Sequence, residues 1–173
     1  MPKIQSFPPI EPTSARILIL GSMPGKASLR AYQYYAHPRN AFWPIMAELL
    51  GFSAADTYAE RTKALQLSGV GLWDVLHSCE RESSLDSDIK AESMAPNDFN
   101  AWFTRHPETR AVFCNGGTAF NAWRKHVQVQ LAPAWQALPV IQLPSTSPAH
   151  AAMSREEKAL RWRVLLEYLP DSM

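Results

Sequence analysis

The stretch from Gly21 to Asn40 reads Gly-Ser-Met-Pro-Gly-Lys-Ala-Ser-Leu-Arg-Ala-Tyr-Gln-Tyr-Tyr-Ala-His-Pro-Arg-Asn. It holds three tyrosines, a histidine, an asparagine and three cations, with no carboxylate. Basic residues interleaved with aromatics suit an exposed nucleobase, because a ring stacks on the base while cations hold its phosphates. The competing reading is a packing loop in which Tyr35 and Phe42 are buried. A second stretch, Leu143-Pro144-Ser145-Thr146-Ser147-Pro148-Ala149-His150, sets three hydroxyls between two prolines. Hydroxyls and backbone N–H groups on a stiff turn position phosphates without reading bases. A structural turn with a helix cap has the same composition.

What is missing narrows the chemistry. No Gly-rich Lys-Ser/Thr phosphate loop and no Gly-x-Gly-x-x-Gly occurs, which argues against nucleotide hydrolysis and dinucleotide binding. No motif supports a Ser-His-Asp nucleophile, and these loops lack the carboxylate pair of ordinary glycoside hydrolysis. A reaction here has to use a neutral residue to orient water, with cations and dipoles stabilising charge. Cys79 and Cys114 are too few for a disulfide framework and have no metal-ligand spacing, so buried thiols are expected. No iron–sulfur cysteine set is present.

The formal net charge of the 173 residues is only +1, yet all 16 carboxylates avoid two windows, Pro12–Ala47 and Thr109–Arg155. Arg16, Lys26, Arg30, Arg39, Arg110, Arg124, Lys125 and Arg155 lie in those windows. A cationic face on an otherwise acidic protein fits a polyanion that the overall charge conceals. Chance clustering in apolar strands and their loops is the alternative.

The elements that must position these loops are legible as apolar runs. Arg16–Leu20, Ala111–Cys114 and Pro139–Leu143 are continuous rather than alternating, as in strands buried on both faces of a parallel sheet. Gly69–Leu76 is a weaker fourth. Helical patterns fall at Ala41–Leu50, Thr57–Leu67, Asn97–Arg105, Thr118–Val127 and Ser154–Leu169. The last opens on a capping-box spacing, with a stripe of Leu160, Val164, Leu165 and Tyr168. Alternating strands and helices imply an α/β sheet covered on both sides, with ligands bound at the strands' carboxyl ends. The first dozen or so residues (1–14) read as a lead-in and Ser83–Pro96 as a long polar loop. With 46% hydrophobic and 19% charged residues, the chain has enough apolar surface for one core. The long uncharged stretch after Val127 is too interrupted to cross a bilayer. The N-terminus has no secretory apolar core. A reduced, cytoplasmic, single-domain chain (1–173) is the expectation.

Gly21-Ser22-Met23-Pro24-Gly25, Tyr35-Ala36-His37-Pro38-Arg39-Asn40-Ala41-Phe42-Trp43 and Leu143-Pro144-Ser145 together resemble the uracil-DNA glycosylase superfamily. Trp73–Leu76 with Ser78–Arg81, and Pro144–Ala149, bring the chain nearer its hypoxanthine-DNA (deoxyinosine) glycosylase branch than the mismatch-specific uracil/thymine branch. The likeness runs from about Arg16 to Leu169. It implies a three-layer α/β/α fold on a four-stranded parallel sheet of order 2-1-3-4. It also implies hydrolysis of the N-glycosidic bond of a deaminated base in DNA, leaving an abasic site, by a monomer without cofactor or metal.

Residue by residue, the resemblance makes Asn40 the water-orienting catalytic group. Met23 stands where the mismatch-specific branch has its catalytic Asn, and a thioether cannot orient water with a strong hydrogen bond. Base contacts are expected from Tyr35, from the backbone N–H groups of Ser22 and Met23, and from Asp74. DNA contacts are expected from Lys26, Ser28, Ser145, Ser147 and Pro148. Ser147 matches the superfamily's wedging Leu, and Pro148 beside it is the expected wedge. Two other readings stand beside this one: a non-catalytic module binding damaged or single-stranded DNA, and a nucleoside hydrolase acting on free inosine.

Overall fold

The computed structural model describes residues 3–170, so Met1 and Pro2 of the expected lead-in lie outside the described residues. Its strands are Lys3–Gln5 (β1), Ile17–Gly21 (β2), Val70–Asp74 (β3), Leu76–Glu80 (β4), Ala95–Pro96 (β5), Ala111–Asn115 (β6) and Val140–Leu143 (β7). Four of them form one parallel sheet in the order β3-β2-β6-β7, which is the expected 2-1-3-4. Every residue of β2, β3 and β6 is buried. Continuous apolar runs are therefore what these positions require, since both faces of the sheet are covered.

Alternate residues of each strand supply the two halves of the core. Leu18, Leu20, Val112 and Cys114 pack with Trp102, Phe103 and Trp123 on one side. Ile17, Ile19 and Phe113 pack with Phe42, Ile45, Met46, Trp162 and Leu165 on the other. The helices behind these contacts are Lys26–Ala31 (α1), Phe42–Leu50 (α2), Tyr58–Leu67 (α3), Phe99–Arg105 (α4), Gly117–Ala122 (α5), Pro133–Gln136 (α6) and Arg155–Trp162 (α7). Side-chain caps start several of them. Thr57 Oγ1 accepts from Glu60 N, Asp98 Oδ1 from Ala101 N, and Ser154 Oγ from Glu157 N as the capping box required.

Packing in the first half of the core leaves no spare room at β3. A Cβ on Gly71 would meet Cη2 and Cζ2 of the fully buried Trp102 at 2.6 Å. Gly71→Ala is expected to lower stability by about 1–3 kcal/mol through overpacking, read from chemical denaturation.

Four expectations are corrected. The lead-in is part of the fold: β1 pairs antiparallel with β4, and Ile10 bridges Leu72. Ser83–Pro96 is not one plain loop. It holds two 3-10 turns and β5, which joins β1 and β4 in a second, three-stranded sheet, and Ile89 is buried. The helix expected over Thr118–Val127 widens into a π-helical stretch at Trp123–Val127. In α7, Leu160 is 71% exposed, and the buried face is Lys158, Ala159 and Trp162. The chain tightens into a 3-10 turn at Arg163–Tyr168, so one 3.6-residue stripe cannot run through both parts.

Candidate active site

The carboxyl ends of β2, β3, β6 and β7 are Gly21, Asp74, Asn115 and Leu143, and a pocket of about 650 Å³ opens beyond them. Its lining includes every residue singled out for chemistry: Asn40, Ser22, Met23, Tyr35, Asp74, Lys26, Ser28, Ser145, Ser147 and Pro148. The fold thus brings together loops that lie more than a hundred residues apart in sequence.

The first loop is held under strain. Tyr32 and Tyr35 both sit at φ 54°, the left-handed region that costs a side-chain-bearing residue roughly 1–3 kcal/mol. Tyr34 between them is clamped three ways. Its N–H donates to Tyr58 Oη, its hydroxyl donates to the Pro8 carbonyl, and its carbonyl accepts from Trp43 Nε1. Those clamps over-determine the turn and push the Tyr35 ring against Phe42, with centroids 4.2 Å apart and planes 25° from parallel. Phe42 is a core residue, and the half-buried Tyr35 lies between it and the pocket.

The loop's end is built just as locally. His37 Nδ1 accepts the Arg39 N–H, Asn40 N donates to the His37 carbonyl, and Asn40 Oδ1 accepts the Phe42 N–H at 2.9 Å. The amide oxygen of Asn40 is engaged by the first residue of α2, and its NH2 group has no hydrogen bond among the described residues.

The third loop is pinned from three directions. Asn115 exchanges two hydrogen bonds with Thr146, both 2.9 Å. Trp162 Nε1 donates to the Pro144 carbonyl, and Lys158 Nζ to the Ser147 carbonyl. Gly116, at φ 96°, lets this loop close in: a Cβ there would sit 3.1 Å from Ser145 Cβ. Ser145 and Ser147 remain half-buried at the pocket. Ser28, expected on a phosphate, is placed differently. It is buried, and its Oγ accepts the Ala36 N–H, so it braces the strained turn.

The floor departs from the cationic picture. Exposed Lys26, Arg39 and His150 line the rim, but the exposed Asp86 lines the same pocket and Asp74 is buried at the strand ends. A Cβ on Gly21 would fall 2.7 Å from Asp74 Oδ1 and 2.9 Å from the Tyr35 hydroxyl, so only glycine leaves both groups in place. Burial, with the neighbouring Asp86 charge, pushes the Asp74 carboxyl up to about 7, while Arg81 pulls it part of the way back. Asp86 is also raised by burial, offset by the hydrogen bond it accepts from Ser22 Oγ at 2.7 Å and by Arg81. Burial and the Asp74 charge keep the Tyr35 phenol protonated. Among the described residues, Asp74 Oδ2 and the Tyr35 hydroxyl have no hydrogen-bond partner although both are buried. Unpaired buried polar atoms are costly, and two of them aimed at one pocket mark a place built for a polar ligand.

Asp86, Arg81, Asn115 and Thr146 were not singled out by sequence reasoning. Arg81 is buried and donates to the Pro24 carbonyl at 2.5 Å, tying β4 to the Gly21–Gly25 turn. Thr146 lies among the three hydroxyls of the Leu143–His150 stretch, Arg81 in the Ser78–Arg81 segment and Asn115 at the end of an apolar run, whereas Asp86 carried no signal. Met23 contributes backbone to the pocket while its side chain packs in the core.

An open parallel sheet with a polar pocket at its switch of strand order defines an α/β ligand-binding fold. The sequence model of the uracil DNA glycosylase superfamily matches residues 8–167. The chain is 39% identical over 115 residues to a hypoxanthine DNA glycosylase of Methanosarcina barkeri (strain Fusaro / DSM 804), spanning 66% of this chain and 72% of that one. Another hypoxanthine DNA glycosylase, from Methanosarcina acetivorans, is 37% identical over 116 residues with the same coverage. A solution NMR structure of a candidate uracil DNA glycosylase from Methanosarcina acetivorans matches with a TM-score of 0.75 at 30% identity, over 95% of this chain and 99% of that one. The chain belongs to the uracil DNA glycosylase superfamily and is a DNA N-glycosylase.

Proposed function

We propose that the chain hydrolyses the N-glycosidic bond of deoxyinosine in DNA, releasing hypoxanthine and leaving an abasic site. The observation that carries this reading is the unpaired, buried carboxyl of Asp74 at the floor of a pocket walled by Tyr35 and Asn40. Hypoxanthine offers N1–H as a donor and O6 as an acceptor on one edge, and a neutral carboxyl answers both. The two hypoxanthine-acting relatives support the same base.

A stacked base has to be everted first, at a cost of a few kcal/mol. Phosphate contacts from Lys26, Ser145 and Ser147 offset that cost, and the Tyr35 ring, backed by Phe42, receives the base. The N–H groups of Ser22 and Met23 face a base carbonyl. As the C1′–N9 bond breaks, its electron pair goes to the base and the sugar becomes oxocarbenium-like. Asn40 holds the water whose oxygen bonds C1′; one water proton ends on the departing base. An amide takes up no proton at neutral pH, so stabilisation of charge supplies most of the rate. In this reading the chain works as a monomer in the cytoplasm, where thiols such as the buried Cys79 and Cys114 stay reduced.

The test is incubation with oligonucleotides carrying one deoxyinosine, deoxyuridine or deoxyxanthosine, followed by alkaline cleavage. Strand breakage at deoxyinosine is expected to be fastest. Binding without breakage of any strand would point to a damage-binding module, and competition by low concentrations of free inosine to a nucleoside hydrolase.

A further inference from the structure

Eversion leaves a gap in the duplex, and nothing described so far fills it. Ser147 lacks the bulk, and Pro148 is half-buried in its own loop. Five large apolar side chains are exposed among the described residues, namely Tyr32, Leu67, Leu85, Val129 and Leu160. Leu85 alone of these lines the pocket.

Its 49% exposure is imposed by its neighbours. Ser84 Oγ accepts the Lys26 N–H at 2.8 Å, and Asp86 Oδ1 accepts from Ser22 Oγ at 2.7 Å, so the residues on either side are tied to the first loop. Leu85 N donates to Ser83 Oγ, and its carbonyl accepts from Asp88 N. The carboxylates that follow it in the loop are each engaged by a hydroxyl, Asp86 by Ser22 and Asp88 by Ser83. The result is a loop tied at several points that holds one apolar side chain at the mouth of a polar pocket, next in sequence to the residue that grips Lys26. Apolar side chains held in this way enter base steps and keep them apart.

We propose that Leu85 is the wedge that occupies the stack vacated by the everted nucleotide. The assignment rests on the reaction proposed above, and it replaces the expectation for Pro148.

The test is single-turnover release of hypoxanthine from deoxyinosine in a matched duplex and in the same strand alone. Leu85→Ala is expected to lower the duplex rate about tenfold or more and the single-strand rate by less than about twofold, since only the duplex has a stack to hold open. Leu85→Met keeps the apolar bulk and restores most of the duplex rate. Equal losses on both substrates, or no loss on the duplex, overturn the assignment. So does a duplex-specific loss that appears with Pro148→Ala and not with Leu85→Ala. A second arm needs no chemistry: a duplex with 2-aminopurine beside an abasic-site analogue reports entry of a side chain by its fluorescence. A change with the parent chain and Leu85→Met, absent with Leu85→Ala, supports the wedge; the same response from all three overturns it. That arm decides Leu85 even where the parent chain releases no base, a result that would count against the reaction alone.

Discussion

Asn40→Ala and Asn40→Asp each lower single-turnover base release by about 10²-fold or more, the scale of losing one preorganised polar group at a reacting centre. The pair of variants separates two jobs of one side chain. Asn40 Oδ1 accepts the Phe42 N–H, so the amide also closes the turn that leads into α2. Alanine removes that hydrogen bond, at a cost of about 0.5–1.5 kcal/mol, whereas aspartate keeps an oxygen in the same place. A fall in melting temperature confined to Asn40→Ala, with rate loss in both, assigns the loss to chemistry. Aspartate fails because it removes the NH2 donor that holds the water while keeping an oxygen for the Phe42 N–H. Undiminished release by Asn40→Asp would show that an amide is not required under the sugar.

The parts of this site that sequence reveals are those whose chemistry is local. Ile17–Leu20 and Ala111–Cys114 read as buried strands because burial on both faces demands unbroken apolar runs, and Gly21 and Asn115 mark their ends. Tyr35, Asn40 and Ser145 stand out because their loops are compositionally unlike the rest of the chain. Leu85 and Asp86 carry no such mark. They reach the pocket through Ser84 on Lys26 and Asp86 on Ser22, contacts between residues 58 and 64 positions apart. The three-residue β1 is equally silent, because its identity lies in its pairing with β4 and not in a pattern of its own. Of the cations in the acid-free windows, Lys26 and Arg39 line the pocket, and the windows gave no sign of the Asp74 and Asp86 carboxylates there. Two carboxylates supplied by β3 and by the turn after β4 are brought to the pocket of the basic loops only when the chain folds.

Asp74 makes base release depend on pH in a stated direction. With its carboxyl pushed up to about 7, Asp74 is mostly neutral at pH 6 and mostly ionised at pH 8. The neutral form donates to a base oxygen and accepts from the adjacent N–H; the ionised form faces a leaving base that is gaining negative charge. Release is therefore expected to fall about tenfold between pH 6 and pH 8. The groups that set this titration are Asp86 and Arg81, with the Tyr35 and Tyr34 phenols alongside remaining protonated throughout. Asp74→Asn presents the same acceptor and donor pair without a proton to lose, so its rate is expected to be flat across this range. Asp74→Ala, with neither group, is slow at every pH. The same carboxyl affects folding with a definite sign. Its folded value lies above the ordinary 3.8, so the folded chain holds the proton longer, and stability declines as pH rises from about 4 to about 7. Above pH 7, Asp74→Asn should consequently unfold at higher denaturant than the parent chain, by up to a few kcal/mol. A parent rate that climbs with pH, or a decline that survives in Asp74→Asn, would move the titrating group elsewhere in the pocket and leave Asp74 without a part in reading the base.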